Sequence, residues 1–196
     1  MNISIIGTGY VGLVTGACFA KLGNNIICVD IDKNKIEKIN KGISPIYEEG
    51  LDEILSKHKN NIKATNNYRD AIENSDITFI CVGTPSKKDL SLDLTHIKEA
   101  SAEVGKQIKN KKSWHLVVVK STVLPGTTKN IILPILEKDS GKKAGTEFGL
   151  AMNPEFLKEG IAISFKNFSL SKRFFIANKV KKNLIFSKDA PDNIKL

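Results

Sequence analysis

Residues 2–12 read Asn2-Ile3-Ser4-Ile5-Ile6-Gly7-Thr8-Gly9-Tyr10-Val11-Gly12, and this stretch decides the fold. Asn2–Ile6 is a short apolar strand. A Gly-x-Gly-x-x-Gly turn follows it and opens a helix from about Val11 to Leu22, stopped by Gly23. Gly7 permits the tight turn, Gly9 keeps a side chain away from an approaching pyrophosphate, and Gly12 lets the helix lie close to the sheet. The helix start then offers unpaired N–H groups and the positive end of its dipole to phosphate oxygens. A second apolar strand, Ile26-Ile27-Cys28-Val29, closes on Asp30. An acid at that point can accept both hydroxyls of an adenosine ribose and would repel a 2′-phosphate. Strand, turn, helix, strand and acid together predict a dinucleotide site selective for NAD over NADP. The same turn could serve another nucleotide such as FAD, or be a purely structural turn of an α/β fold.

Working outward, Asp32 to about Lys41 reads as a helix with Ile36 and Ile39 on one face, and Leu51–His58 as a shorter one. Ile62–Thr65 is a candidate strand, and Tyr68–Glu73 a helix capped by Asn66 or Asn67. Ile77–Val82 has no polar face, as expected of a strand covered on both sides. Asp93 can cap a helix to about Asn110, striped by Ile97, Ala100, Val104 and Ile108. Leu116–Val119 is another buried strand, Thr127–Lys138 a helix bent at Pro134, Phe148–Met152 a last strand, and Pro154–Ile163 the start of a helix. The alternation predicts a Rossmann-like α/β fold: a doubly wound parallel sheet with helices on both faces. The polar stretches 86–92 and 139–146 are expected to be exposed.

Composition restricts the function classes. The chain has 196 residues, 41% hydrophobic and 26% charged, which fits a globular domain and argues against wholesale disorder. No run approaches the ~20 apolar residues of a membrane span, and no positive n-region or cleavage site opens the chain, so a cytoplasmic protein is expected. The net charge of +9 is uneven: residues 164–196 hold eight Lys or Arg against two Asp, and five of the nine Phe. The other residues carry only +3 of that charge, so neither a nucleic-acid nor a membrane partner is predicted. The three cysteines, Cys18, Cys28 and Cys81, form no CxxC and sit in apolar runs, which suggests buried thiols and no metal site. His58, His96 and His115 are scattered and expected to have no special role.

Six segments carry a specific resemblance. Gly7–Gly23, Val29–Asp32, Pro45–Leu51, Val82-Gly83-Thr84-Pro85, Lys120-Ser121-Thr122-Val123 and Asn153–Gly160 resemble, in order, the UDP-glucose/GDP-mannose dehydrogenase family over about residues 1–163. The resemblance implies an NAD-dependent oxidation of a nucleotide-sugar C6 alcohol to a uronic acid, through a thioester on a catalytic Cys. The wording is nearest the branch that acts on UDP-glucose, with GDP-mannose as the alternative substrate. It implies that Gly7, Gly9, Tyr10, Val11 and Gly12 hold the pyrophosphate, that Asp30 and Lys35 flank the ribose, and that Thr84 and Thr122 contact the cofactor. Thr122, Glu155 and Glu159 resemble catalytic positions; Glu155 to Lys158 (with Phe156 and Leu157) resemble the segment holding the nucleotide sugar. Without the resemblance, Thr84 and Thr122 would read as strand-end caps, and Glu155 and Glu159 as an exposed i,i+4 helix pair.

The text departs from the family after Gly160, where an expected Asp-Phe element and Pro-Asp-Arg turn are missing. The family's nucleophilic Cys and its dimerising domain have no counterpart among the 196 residues. The expectation is therefore an NAD-binding dehydrogenase domain over 1–163 and a divergent basic tail over 164–196, in a chain inactive by itself. A cofactor-binding module without turnover is the alternative.

Overall fold

The computed structural model describes residues 1–155 together with 157, 159, 160, 162 and 163. Six short strands form its centre: β1 (Asn2–Ile6), β2 (Asn25–Val29), β3 (Ile62–Thr65), β4 (Ile77–Ile80), β5 (Leu116–Val119) and β6 (Gly149–Met152). Every neighbouring pair is parallel, in the order β3-β2-β1-β4-β5-β6. The chain winds outward from β1 to β3, crosses back to β4, and winds outward again. The carboxyl ends of β1 and β4 therefore flank the crevice in which such sheets bind ligands.

The helices are α1 (Tyr10–Lys21), α2 (Lys33–Asn40), α3 (Leu51–Lys57), α4 (Tyr68–Glu73), α5 (Thr95–Asn110) and α6 (Leu133–Ser140). Residue alternation along the strands sorts the core into two layers. Ile3, Ile5, Cys28, Phe79 and Val118 pack with Leu13, Val14 and Ala17 of α1 and Leu51, Ile54 and Leu55 of α3. Ile6, Val29, Ile80, Val117 and Val119 pack with Ile97, Val104 and Ile108 of α5 and Leu136 of α6 on the opposite face. Each fully buried aliphatic side chain contributes about 1.5–3 kcal/mol of transfer free energy. The expected architecture holds.

Local differences have local causes. Asp32 and Asn67 cap α2 and α4 through their side chains, as their residue types suggest. Asp93 lies one residue before the cap of α5, and its carboxylate takes the Thr95 N–H (2.9 Å) and hydroxyl (2.6 Å). The helix expected over 127–138 is two pieces: a wide π turn at Thr128–Ile132, then α6 with Pro134 in its first turn. Pro134 lacks an N–H and crowds the preceding turn, so the backbone widens before it and restarts. The expected helix from Pro154 is not formed among the described residues: Asn153–Glu155 is coil, with turns at 159–160 and 162–163.

Candidate functional site

The Gly-rich turn closes as its spacing requires. Gly7 has φ +94°, a conformation that a side chain would strain, and its N–H donates to Val29 O at 2.8 Å. A Cβ on Gly12 would lie 1.9 Å from Gly7 O, so only glycine lets α1 start this close to β1. A Cβ on Gly9 would meet no protein atom within 4 Å. Gly9 is the N-cap of α1, no side chain caps this helix, and its first turn holds no acid. The first N–H groups of α1 are thus left to an incoming anion.

Asp30 stands beside this turn at the end of β2. Its Oδ2 accepts the Thr8 N–H at 2.8 Å and the Thr8 hydroxyl, and its Oδ1 accepts the Asp32 N–H at 3.0 Å. Burial raises the Asp30 pKa, but the Thr8 hydroxyl, the Asp32 and Thr8 N–H groups and the nearby Lys35 cation together outweigh it and hold the carboxyl below its usual value. The acid therefore fastens the phosphate turn to β2 while remaining partly exposed. These contacts use three of the roughly four lone-pair positions of a carboxylate.

Thr84, Thr122 and Glu155 follow the carboxyl ends of β4, β5 and β6, the same end of the sheet as the turn after β1. The Thr84 hydroxyl, in the loop after β4, donates to Thr122 O after β5 at 2.6 Å. Ser121 Oγ donates to Val82 O at 2.7 Å, so two contacts bind these loops together. The Thr84 proton is thus used in fastening the loop after β4 to the loop after β5, while Thr122 itself is exposed. Asn153 N–H donates to Val119 O at 2.9 Å and starts the segment after β6.

Glu155 is not on an exposed helix face. Its carboxylate lies 2.8 Å from Lys120 Nζ, with only 10% of the Glu155 side chain and 6% of the Lys120 side chain exposed. Lys120 also donates to Asn153 Oδ1 at 3.1 Å, and the Leu157 N–H turns back onto Glu155 Oε1. Glu159 lies in the following turn and is exposed. Phe156, Lys158 and the segment 164–196 lie outside the described residues.

Two site residues were missed in the sequence. Lys120 lies in one of the quoted motifs but was given no partner. Glu48, within Pro45–Leu51, was given no role; it is 4% exposed and accepts the Tyr10 hydroxyl at 2.8 Å, Gly160 N–H at 2.7 Å and Ile163 N–H at 3.2 Å. The three cysteines are buried and free, and burial pushes Cys18 up to about 11 and Cys28 and Cys81 up to about 12.

A doubly wound parallel sheet with an open glycine turn, an uncapped helix start and an acid ending the second strand defines a dinucleotide-binding protein. The model of the UDP-glucose/GDP-mannose dehydrogenase family, NAD binding domain, matches residues 1–187, and the chain belongs to this family, with NAD as its cofactor. A GDP-mannose 6-dehydrogenase of Pseudomonas savastanoi pv. phaseolicola is 48% identical over 165 residues, covering 83% of this chain and 38% of the relative. A UDP-glucose 6-dehydrogenase of Haloferax volcanii is 45% identical over 164 residues, again covering 83% and 38%. The crystal structure of a ternary complex of GDP-mannose dehydrogenase from Pseudomonas aeruginosa superposes with a TM-score of 0.85 at 42% identity, over 92% of this chain and 44% of that one. The chain spans less than half the length of these relatives.

Proposed function

We propose that this chain is the cofactor-holding part of a nucleotide-sugar 6-dehydrogenase. The observation that carries the reading is the empty space at Gly9, at the uncapped start of α1 and beside Asp30. Gly7, Gly9, Gly12 and the backbone of Tyr10 and Val11 would hold the pyrophosphate. Asp30, assisted by Lys35, would take one ribose hydroxyl with its remaining lone pair. NAD, when bound, supplies the hydride acceptor for oxidation of an alcohol.

Thr84 and Thr122 would line the cofactor's reactive end, and the exposed Thr122 hydroxyl can donate to or accept from an oxygen there. Glu155, fixed by Lys120, would hold or move a proton near the sugar, with Glu159 in support and Phe156, Leu157 and Lys158 against the nucleotide sugar. UDP-glucose is the substrate suggested by the sequence motifs. GDP-mannose is the second reading, favoured by the 48% identity to a GDP-mannose 6-dehydrogenase. The protein would act in the cytoplasm, without nucleic-acid or membrane partners. The 164–196 segment would lie beyond the NAD-binding unit proper. Titration calorimetry tests the assignment: NAD should bind more tightly than NADP, and Asp30→Ala should remove that preference. Equal affinity in the parent chain would overturn it.

A further inference from the structure

Glu48 joins the two halves of the candidate site. Its Oε2 receives the Tyr10 hydroxyl at 2.8 Å and the Gly160 N–H at 2.7 Å, and its Oε1 receives the Ile163 N–H at 3.2 Å. Tyr10 is the first residue of α1, directly behind the phosphate turn. Gly160 and Ile163 follow Glu155 by only a few residues and lie more than a hundred positions from Glu48 in the chain. With 4% exposure, Glu48 has little access to water, so these donors take the place of its hydration shell.

We propose that Glu48 is a positioning residue that couples occupation of the phosphate turn to the seating of Gly160 and Ile163, a few residues beyond Glu155. The coupling rests on the reading of the Gly7–Gly12 turn as the cofactor site. A single carboxylate oxygen is shared between the Tyr10 hydroxyl and the Gly160 N–H. Anything that fixes Tyr10 at the start of α1 fixes the acceptor that Gly160 uses. Charge-assisted bonds of this kind are about twice as strong as neutral ones, so the connection can carry a useful fraction of the binding free energy. Hydrophobic packing supports the same contact: Leu157 and Ile163 lie against the core layer that contains Leu51 and Ile54, and Ala162 is buried within it. Ile163 Cγ2 would be 3.5 Å from a Cβ on Gly50, at the end of the Glu48 loop. The segment bearing the proposed proton-handling carboxylate is therefore seated on the loop that also grips α1.

The linkage must be reciprocal: if the cofactor steadies the segment, a steadied segment tightens the cofactor by the same factor. Glutamine keeps the shape of Glu48 but replaces one accepting oxygen with a donor group, so it must lose part of the set. Phenylalanine at position 10 removes the hydroxyl's bond to Glu48 together with its contact to the Gly160 N–H, and leaves the Ile163 N–H on the carboxylate.

Amide hydrogen exchange of Gly160 and Ile163, measured by NMR on the full 196-residue chain with and without saturating NAD, tests this. In the parent chain, NAD should slow both amides at least about fivefold, the lower end of ordinary coupling. Tyr10→Phe should leave the exchange of Ile163 without NAD close to the parent value and remove most of its slowing by NAD. Glu48→Gln should make both amides exchange faster in either condition, while amides of β1 and β4 keep their protection. If Glu48→Gln does not fold, Tyr10→Phe carries the test alone. Bound NAD with unchanged exchange in the parent chain, or full slowing retained in Tyr10→Phe, would overturn the coupling alone. Failure of NAD to bind would overturn the cofactor reading and the coupling with it.

Discussion

Lys120 Nζ and a Glu155 carboxylate oxygen lie 2.8 Å apart, one at the end of β5 and the other just past β6, both almost wholly withdrawn from solvent. The pairing of adjacent parallel strands brings them together, because Val119 and Met152 are in register and each side chain begins shortly after. The pair sets the direction in which Glu155 points.

Removing one member of such a pair should cost far more than removing both. Lys120→Met should destabilise the domain by about 3–5 kcal/mol, because a charged carboxylate then stays in place without its cation. Combining it with Glu155→Met should recover most of that loss. Urea denaturation of the two variants and the parent measures it. Equal destabilisation by both variants would mean that the pair contributes nothing beyond packing.

The second and third glycines of the turn should separate folding from binding. Gly9→Ala meets no protein atom and should change stability by less than about 0.5 kcal/mol, as harmless surface changes do. Its methyl group should nevertheless weaken NAD binding by at least tenfold. Gly12→Ala places a carbon 1.9 Å from Gly7 O and should lose both stability and binding. Thermal melts beside calorimetry distinguish the two patterns.

A pH-dependent loss should arise far from the site. His115 is completely buried, with Nε2 2.7 Å from Thr78 Oγ1. Burial pushes its pKa down to about 3, with the Lys111 and Lys142 cations adding to the effect against a Ser75 backbone contact. The unfolded chain takes up this proton near 6.5, so the stability from His115 is complete above that pH and declines as pH falls toward 3. Between pH 7 and 5 the parent should lose about 2 kcal/mol more than His115→Gln, from the linkage relation. Parallel denaturation curves at the two pH values give the difference; identical losses would refute it.

Turnover by the 196-residue chain alone should be absent even where NAD binds. Its cysteines are confined to positions 18, 28 and 81, and their raised pKa values leave them poor nucleophiles. Neither UDP-glucose nor GDP-mannose should give sustained growth of NADH absorbance. Formation of the uronate would show that another group replaces the thiolate expected from the family.

The sequence carried the sheet because its strands are nearly continuous apolar runs between helix signals, a pattern with few other solutions. β3 and β5 begin and end where the residues suggested, and Gly7, Gly12 and Asp30 stand where the turn requires them. The apolar run continues to Val82, yet β4 ends at Ile80, because beyond it the backbone turns toward the Thr84 loop. The fate of 153–163 was not legible. It depends on Glu155 finding Lys120 and on Gly160 finding Glu48, and no local periodicity reports contacts of such long range. Gly160, at φ +85°, was the single local sign of a turn there.

The three buried thiols give the molecule an internal clock. Burial withdraws all three from solvent and holds each thiol well above its ordinary value, so little of any of them is thiolate at neutral pH. A disulfide reagent can therefore reach them only when the surrounding structure opens. Cys18 lies on α1, Cys28 in β2 and Cys81 just beyond β4, so all three are grouped around the strands that carry the phosphate turn. Their rates of modification would record how often that part of the domain breathes, without any introduced label. A ligand held by the turn should slow all three together.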